Sequence, residues 1–248
     1  MFYVFPDDAS LAAHASNKLF QRIADKPDTV LGLATGSTME PVYAHLAHQI
    51  NRNRPPLDQL TTFNLDEYIG LPAQHPQSYN YFMHEHLFNK IAIDDRRCFL
   101  PDGDCADLEQ ECRQYSSKIR EAGGLDIQLL GIGTNGHIGF NEPGTPFDSR
   151  THVVDLSETT MRDNSRFFAD KSQMPTRAIT MGILDIMEAN EILLLATGAH
   201  KAEVMANLFH SQPDENMPAS VLKQHQRICI LMDSSAAALI PQQHLKRI

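Results

Sequence analysis

The 248-residue sequence lacks the features expected of a membrane protein, a secreted protein or a nucleic-acid-binding protein. No apolar run approaches the roughly 18 residues that a membrane-spanning helix requires. The amino terminus, MFYVFPDDAS, has no basic segment followed by a long apolar one, so we predict no signal peptide. Basic residues are in the minority, because 21 Lys and Arg face 31 Asp and Glu, for a net charge of −10. That charge argues against nucleic acid or an anionic membrane as the main partner, whereas an anionic small molecule needs only a few local donors.

Cysteine is scarce, and its spacing fits neither a zinc site nor a disulfide framework. Cys98, Cys105 and Cys112 are seven residues apart, and Cys229 lies far along the chain. We expect reduced structural thiols and a cytoplasmic location. His84 and His86 are two residues apart, so they do not share the helix face that a zinc pair needs. The sequence therefore predicts no metal site.

Short apolar runs rich in β-branched residues alternate with helical patterns along the chain. The predicted strands are Phe2–Phe5, Thr29–Ala34, Leu60–Leu65, Asp126–Gly131, Glu191–Ala196 and Arg227–Met232. The predicted helices include Asp8–Ile23, Ser157–Phe168 and Ala199–Phe209. Strands that are apolar throughout are covered on both faces, and their alternation with helices is typical of parallel βα units. The sequence predicts one α/β domain over residues 1–248, with three Rossmann-like layers, a mostly parallel central sheet and helices on both faces.

Polar loops follow these strands, at the edge of a parallel sheet where ligands bind. One loop consists of Thr35, Gly36, Ser37 and Thr38, and it precedes a helix that Pro41 helps to begin. Small residues and hydroxyls there leave backbone N–H groups available to an anion, with the helix dipole behind them. No Lys follows as in the nucleotide P-loop, and an ordinary tight turn is the alternative.

Asp66 and Glu67 lie at the tip of the third predicted strand. A carboxylate held rigidly there and open to a pocket is a candidate general base, and we assign that role to Asp66. The alternative is a turn or helix-capping aspartate.

The segment LGIGTNGHIGFNEPG, residues 130–144, combines glycines with acid–base residues. Asn135, His137 and Glu142 place an imidazole near an amide and a carboxylate, a set suited to proton transfer with one partner fixing the tautomer. Its G-x-G-x-x-G pattern lies in the middle of the chain rather than in the first βα unit, so we expect neither NAD nor FAD.

Two cations are candidates for the anion site. Arg166 lies in NSRFF and Lys201 in TGAHKAE. We expect both to face the loop at 35–38, and a solvated surface charge is the alternative for each.

These motifs together resemble the glucosamine-6-phosphate deaminase family. The segments LGLATGSTMEPVY, FNLDEYIGL, GHIGFNEPGTPFDSRTH, NSRFF, AITMGI and TGAHKAE occur in family order between about Lys26 and Met232. The resemblance implies an enzyme of amino-sugar catabolism, of hydrolase or isomerase type. Such an enzyme converts D-glucosamine 6-phosphate and water into fructose 6-phosphate and ammonia, without metal or organic cofactor. The alternatives are a galactosamine-6-phosphate deaminase, a 6-phosphogluconolactonase and a non-enzymatic sugar-phosphate sensor.

The resemblance also implies residue roles. His137 would assist ring opening, Asp66 would move the proton from C2 to C1, and Glu142 would orient and charge His137. The substrate phosphate would lie against residues 35–38, Arg166 and Lys201. One departure from some family members is Asn135, where they carry Asp, because an amide fixes a tautomer but supplies no charge.

Regulation is a further expectation from the resemblance. Longer, hexameric members bind N-acetylglucosamine 6-phosphate at a second phosphate site built partly from an Arg and a Lys. His152 and Val154 occupy those positions here. We therefore expect a monomer or small homo-oligomer without that allosteric control.

Overall fold

A parallel eight-stranded sheet forms the centre of the protein, whose computed structural model describes residues 1–165, 168 and 173–248. The strands are β1 (Phe2–Phe5), β2 (Val30–Leu33), β3 (Thr61–Asn64), β4 (Asp66–Tyr68), β5 (Cys98–Phe99), β6 (Ile127–Leu130), β7 (His152–Asp155), β8 (Arg177–Thr180), β9 (Ile192–Ala196), β10 (Ile228–Asp233) and β11 (Lys246–Arg247). The helices are α1 (Asp8–Asp25), α2 (Glu40–Asn53), α3 (Tyr79–His86), α4 (Leu108–Glu121), α5 (Glu158–Asn164), α6 (Ile183–Met187) and α7 (Ala202–His210). Short 3-10 turns lie at Phe88–Lys90, Asp95–Arg97, Ala199–Lys201, Pro218–Gln224 and Gln242–His244.

The order of the central strands creates a switch point between β2 and β6. The order is β11-β1-β10-β9-β6-β2-β3-β5, and its neighbours pair in parallel. From β2 the chain proceeds outward through β3 and β5, and it then returns to the other side of β2 at β6. The predicted parallel α/β fold is confirmed, and ligands bind outside such a switch point.

The first helix shows how the apolar pattern builds the core. Leu11, Ala15, Leu19 and Ile23 recur every fourth residue, and all four are fully buried. The Asp7 carboxylate caps the helix by accepting a 2.7 Å hydrogen bond from the Ser10 backbone N–H. In the part of the chain that the structure describes, no helix is long and apolar enough to cross a membrane.

A second, antiparallel sheet lies beside the first and was not predicted. Its order is β4-β8-β7, and Asp66 on β4 pairs with Thr180 on β8. Leu65 joins the two sheets, because its N–H donates to Leu33 of β2 while its carbonyl accepts from Met181 at 2.6 Å. Asp66 therefore begins a strand of its own, and the prediction that it lies at the tip of the third strand is corrected.

Two predicted helices differ from the structure at their ends. Ser157 caps α5 through its Oγ, which accepts from the Thr160 N–H at 3.1 Å, and the helix ends at Asn164 rather than at Phe168. The helix predicted from Ala199 starts as a 3-10 turn, because Gly198 with φ of 87° bends the backbone sharply before it.

Candidate active site

A cavity of about 880 Å³ opens at the switch point and brings together residues from the loop at 35–38, the segment 130–144, Asp66 and the TGAHKAE segment. Its lining includes the four residues Thr35, Gly36, Ser37 and Thr38, together with Asp66, His137 and Lys201. Asn135 and Glu142 stand behind His137, at hydrogen-bonding distance from one another. Arg166 lies outside the described residues, so its predicted place at the anion remains a prediction.

The loop between β2 and α2 has the backbone path of an anion cradle. Gly36 takes a φ of 106°, which favours glycine, and the loop leads directly into the amino terminus of α2. The Thr38 hydroxyl lies 3.3 Å from that of Thr197, at the end of β9, so two strand ends present hydroxyls at the same place. Lys201 lies across the cavity, where its Nζ donates to the Ile132 carbonyl at 2.7 Å. The ammonium is thereby fixed at the cavity wall.

Asp66 is a buried carboxyl that faces the cavity. Asp66 is only 6% exposed, and no donor in the described part of the chain forms a hydrogen bond to its carboxyl oxygens. The pKa of Asp66 is raised to about 8, mainly by burial and to a smaller extent by the nearby charge of Glu67. Asp66 is therefore largely protonated at neutral pH unless a positive charge lies beside it.

Glu67 faces a different environment, although it is the next residue. Its carboxylate accepts from the backbone N–H groups of Tyr68, Tyr79 and Asn80 at 2.8–2.9 Å, which fastens β4 to the start of α3. Burial raises the pKa of Glu67 to about 7, against the lowering effect of those three bonds. Successive residues of a strand point to opposite faces, so Glu67 anchors the strand while Asp66 is presented to the cavity.

His137, Asn135 and Glu142 form a hydrogen-bonded chain. Asn135 Oδ1 lies 2.7 Å from His137 Nδ1 and also accepts from the His137 backbone N–H at 3.2 Å. Asn135 Nδ2 donates to Glu142 Oε2 at 2.9 Å, and that oxygen is 3.7 Å from His137 Nδ1. Because Oδ1 only accepts, the neutral imidazole carries its proton on Nδ1 and keeps a lone pair on Nε2.

The imidazole is held in a neutral, tightly packed state. Burial lowers the pKa of His137, Glu142 opposes that effect, and Lys201 adds to it. A Cβ on Gly133 would lie 2.1 Å from His137 Cε1, so only glycine leaves room for the ring. Gly139 has a φ of 57°, and a Cβ there would lie 2.9 Å from Thr180 Oγ1, whereas its 3.4 Å distance from Asp66 Oδ2 would be an ordinary contact. Glycine at 133 therefore makes room for the His137 ring, and glycine at 139 keeps the backbone close to Thr180.

Residues 7–230 match the family described as glucosamine-6-phosphate isomerases/6-phosphogluconolactonase. The glucosamine-6-phosphate deaminase of Thermoanaerobacter sp. (strain X514) is 47% identical over 238 residues, which cover 96% of this chain and 94% of the relative. That of Shouchella clausii (strain KSM-K16) is 48% identical over 232 residues, or 94% of each chain. The chain belongs to the family of glucosamine-6-phosphate isomerases/6-phosphogluconolactonase.

Solved structures agree with that membership. A monomeric glucosamine-6-phosphate deaminase superposes with a TM-score of 0.94 at 43% identity, covering 96% of this chain and 100% of that one. The 6-phosphogluconolactonase from Trypanosoma cruzi superposes with a TM-score of 0.75 at 20% identity, covering 96% of each chain. At that identity, the second likeness shows a shared fold alone.

Several residues that line the cavity were not predicted from the sequence. Thr197, Thr160, Arg162, Tyr79 and His86 also line the cavity. Thr197 follows a predicted strand, so the rule that polar residues at strand ends form the site would have found it. The others lie on α3 and α5, where nothing in the local pattern distinguishes them from surface residues. Within the described ranges, no group of three or more His, Cys, Asp or Glu is placed to hold a metal ion.

Proposed function

We propose that this protein is a glucosamine-6-phosphate deaminase, converting D-glucosamine 6-phosphate and water into D-fructose 6-phosphate and ammonia. The observation that carries the proposal is the joint presentation of Asp66 and His137 to one cavity that also contains an anion cradle. The family relatives named for this reaction support it at 47–48% identity over nearly the whole chain. Sequence features also favour a cytoplasmic enzyme, and the monomeric relative favours a monomer or small homo-oligomer.

The phosphate group anchors the substrate in this proposal. Backbone N–H groups of the loop at 35–38 and the Lys201 ammonium bind it, and Arg166 contributes a further cation. Charge-assisted hydrogen bonds of this kind contribute roughly 1.5–3 kcal/mol each. An anchor at the 6-position places the far end of the sugar toward Asp66 and His137.

Ring opening has to come first, because the closed sugar has no carbonyl to acidify the C2 proton. Neutral His137 offers a lone pair at Nε2, which takes the proton of the C1 hydroxyl and passes it to the ring oxygen. During this step the imidazole is transiently positive, and Glu142 stabilises it from 3.7 Å. Asn135 keeps the proton on Nδ1, so that Nε2 faces the substrate.

Asp66 then acts on carbon. Its carboxylate removes the C2 proton of the open-chain aldehyde while the C2 ammonium gives up one proton and the aldehyde oxygen gains one, which forms an enolamine. Return of the Asp66 proton to C1 then leaves a protonated C2 imine, which water hydrolyses to the ketone and ammonium. Asp66 has to be ionised for this, although its pKa in the empty cavity is about 8. The ammonium at C2 of the substrate favours the ionised form of Asp66, because an adjacent positive charge lowers the pKa of a carboxyl.

The test is incubation with glucosamine 6-phosphate, with ammonia and fructose 6-phosphate measured separately. We expect equimolar products, little turnover of unphosphorylated glucosamine, and full turnover after exhaustive dialysis against EDTA. The C4 epimer, galactosamine 6-phosphate, is the comparison substrate. Release of ammonia without ketose phosphate, or equal rates on glucosamine and its 6-phosphate, would contradict the proposal.

A further inference from the structure

Thr160 connects Glu142 to His137 along a second path. Its hydroxyl lies 2.5 Å from Glu142 Oε1, and the same oxygen is 3.4 Å from His137 Nδ1. On the other side, Asn135 lies 2.7 Å from His137 Nδ1 and donates to Glu142 Oε2. Each oxygen of Glu142 is therefore joined to the same imidazole nitrogen through one neutral side chain.

The direction of each bond around Thr160 follows from the chemistry of its partners. A carboxylate only accepts, so the Thr160 hydroxyl proton goes to Glu142. Its oxygen then has two lone pairs: Ser157 Oγ donates to it from 3.1 Å, and His137 Nδ1–H faces it from the third side. The hydroxyl thus donates one bond and accepts one, and it offers a second, longer contact to the Nδ1–H that Asn135 Oδ1 accepts at 2.7 Å.

The separation of 3.7 Å between Glu142 Oε2 and His137 Nδ1 is too long for a hydrogen bond. The influence of the Glu142 carboxylate on the His137 imidazole therefore depends on how the plane of the carboxylate is oriented. Two donors fix the rear oxygen, Oε1, namely the Thr160 hydroxyl and the Ser157 backbone N–H at 3.3 Å. The residue at 135 is a neutral amide, so it transmits polarisation without adding charge.

We propose that Thr160 is a positioning residue of the proposed deaminase reaction, holding Glu142 and completing with Asn135 a pair of neutral links to His137. The inference rests on the proposed function for its kinetic consequences only, since the links themselves exist in the unliganded protein. Polarisable chains of hydrogen bonds strengthen when the group at their end gains charge, as His137 does during ring opening. Removing one of the two links should weaken that support.

The substitution that isolates the hydroxyl is Thr160→Val. Valine keeps the branched shape and the backbone N–H that Ser157 caps, and it leaves unchanged the charged groups facing His137, which are Glu142, Asp163 and Lys201. Thr160→Ser retains the hydroxyl. Thr159→Val is the matched control, because Thr159 lies on the same helix and its hydroxyl forms no hydrogen bond within the described part of the chain.

We expect Thr160→Val to lower kcat roughly three- to tenfold, because the lost hydroxyl supports the charge on His137 only indirectly, with KM changed less than about twofold. Thr160→Ser should recover most of the lost kcat, and Thr159→Val should match the wild type. In a Glu142→Gln background, the additional effect of Thr160→Val should nearly disappear, because both changes interrupt the same link. Equal losses at 159 and 160, or fully additive losses with Glu142→Gln, would overturn the inference.

The second readout requires no substrate. Nitrogen-15 NMR of the unliganded protein, with the His137 signals assigned through His137→Gln, reports both the tautomer and the titration of the ring. We expect the Nδ1–H tautomer in the wild type and a lower pKa of His137 in Thr160→Val, because the imidazolium loses an acceptor. An unchanged titration in that variant would overturn the inference. A wild type that fails to release ammonia would instead contradict the proposed function, and the NMR comparison would still decide the role of Thr160.

Discussion

Asp66→Asn should make the protein inactive and, at high pH, more stable. The folded state buries the Asp66 carboxyl, with no hydrogen-bond donor to it among the described residues, and raises its pKa from an ordinary 3.8 to about 8. Below pH 3.8 the group is protonated in both folded and unfolded chains, so it adds no pH dependence. Between pH 3.8 and 8 the unfolded chain releases this proton and the folded chain retains it, so each rise of one pH unit favours unfolding by about 1.4 kcal/mol.

The magnitude follows from that interval. The full cost to the wild type at pH 8 reaches at most about 6 kcal/mol, and it has vanished near pH 4. An amide at position 66 does not ionise, but it still has to be desolvated in the same place. We therefore expect Asp66→Asn to raise the free energy of unfolding by roughly 2–4 kcal/mol at pH 8 and by less than about 1 kcal/mol at pH 5.

The assay is urea unfolding followed by circular dichroism at both pH values. Asp185→Asn is the control, because Asp185 is equally buried but accepts hydrogen bonds from Ser116, Thr151 and Arg150. It should destabilise the protein at both pH values. A variant at 66 that is less stable than the wild type at pH 8, or that gains equally at pH 5 and 8, would refute the reasoning. The same carboxyl should give kcat/KM a rising limb near pH 8, whereas the limb in kcat should lie at lower pH, since the bound ammonium assists ionisation.

Three further predictions concern other parts of the site. Lys201→Ala should raise KM for glucosamine 6-phosphate roughly tenfold or more while lowering kcat much less, which steady-state kinetics will show; an unchanged KM would remove Lys201 from the phosphate site. Gly133→Ala should lower kcat about 10²-fold with the fold intact by circular dichroism, because the new methyl displaces the His137 ring; near-normal kcat would mean that ring placement is not critical. Saturation curves should be hyperbolic and unaffected by N-acetylglucosamine 6-phosphate, since the His152 ring already contacts the Arg150 carbonyl and Val154 has no charge; a Hill coefficient near 2 that falls on adding this compound would reveal an effector site elsewhere.

The central sheet was predictable because its signal is local. Each of the six predicted strands occurs in the structure, with ends within about one residue at most positions, as for Thr29–Ala34 against Val30–Leu33. The small sheet was not predictable by the same means. Its strands are not apolar runs, because β4 consists of DEY, β7 is HVVD and partly exposed, and β8 begins with the exposed Arg177. In addition, β4 pairs with β8, and these two strands are more than a hundred residues apart along the chain.

The residues of the site likewise fall into those that the local sequence predicts and those that depend on contacts between distant parts of the chain. Asp66, His137 and Lys201 stood out because polar residues directly after buried strands converge at one edge of a parallel sheet. Thr160 did not stand out, because its importance depends on facing Glu142 across a distance of eighteen residues in sequence. Asn135 shows the intermediate case. Its position beside His137 was evident from the sequence, but the orientation of its amide between imidazole and carboxylate required the structure.

The ionisation of Asp66 connects the fold to the choice of substrate. Removing a proton from carbon requires a strong base, and burial, together with the nearby charge of Glu67, makes this carboxylate a stronger base by raising its pKa to about 8. The same burial keeps Asp66 protonated near neutral pH, and therefore inactive as a base toward a sugar phosphate that has no amino group. An amino sugar brings the positive charge that ionises the carboxyl at the place where the proton is to be removed. In the proposed reaction, the amino group thus serves as the leaving group and also lowers the pKa of the base, which gives a physical reason for a buried aspartate, without a hydrogen-bond donor among the described residues, at the start of β4.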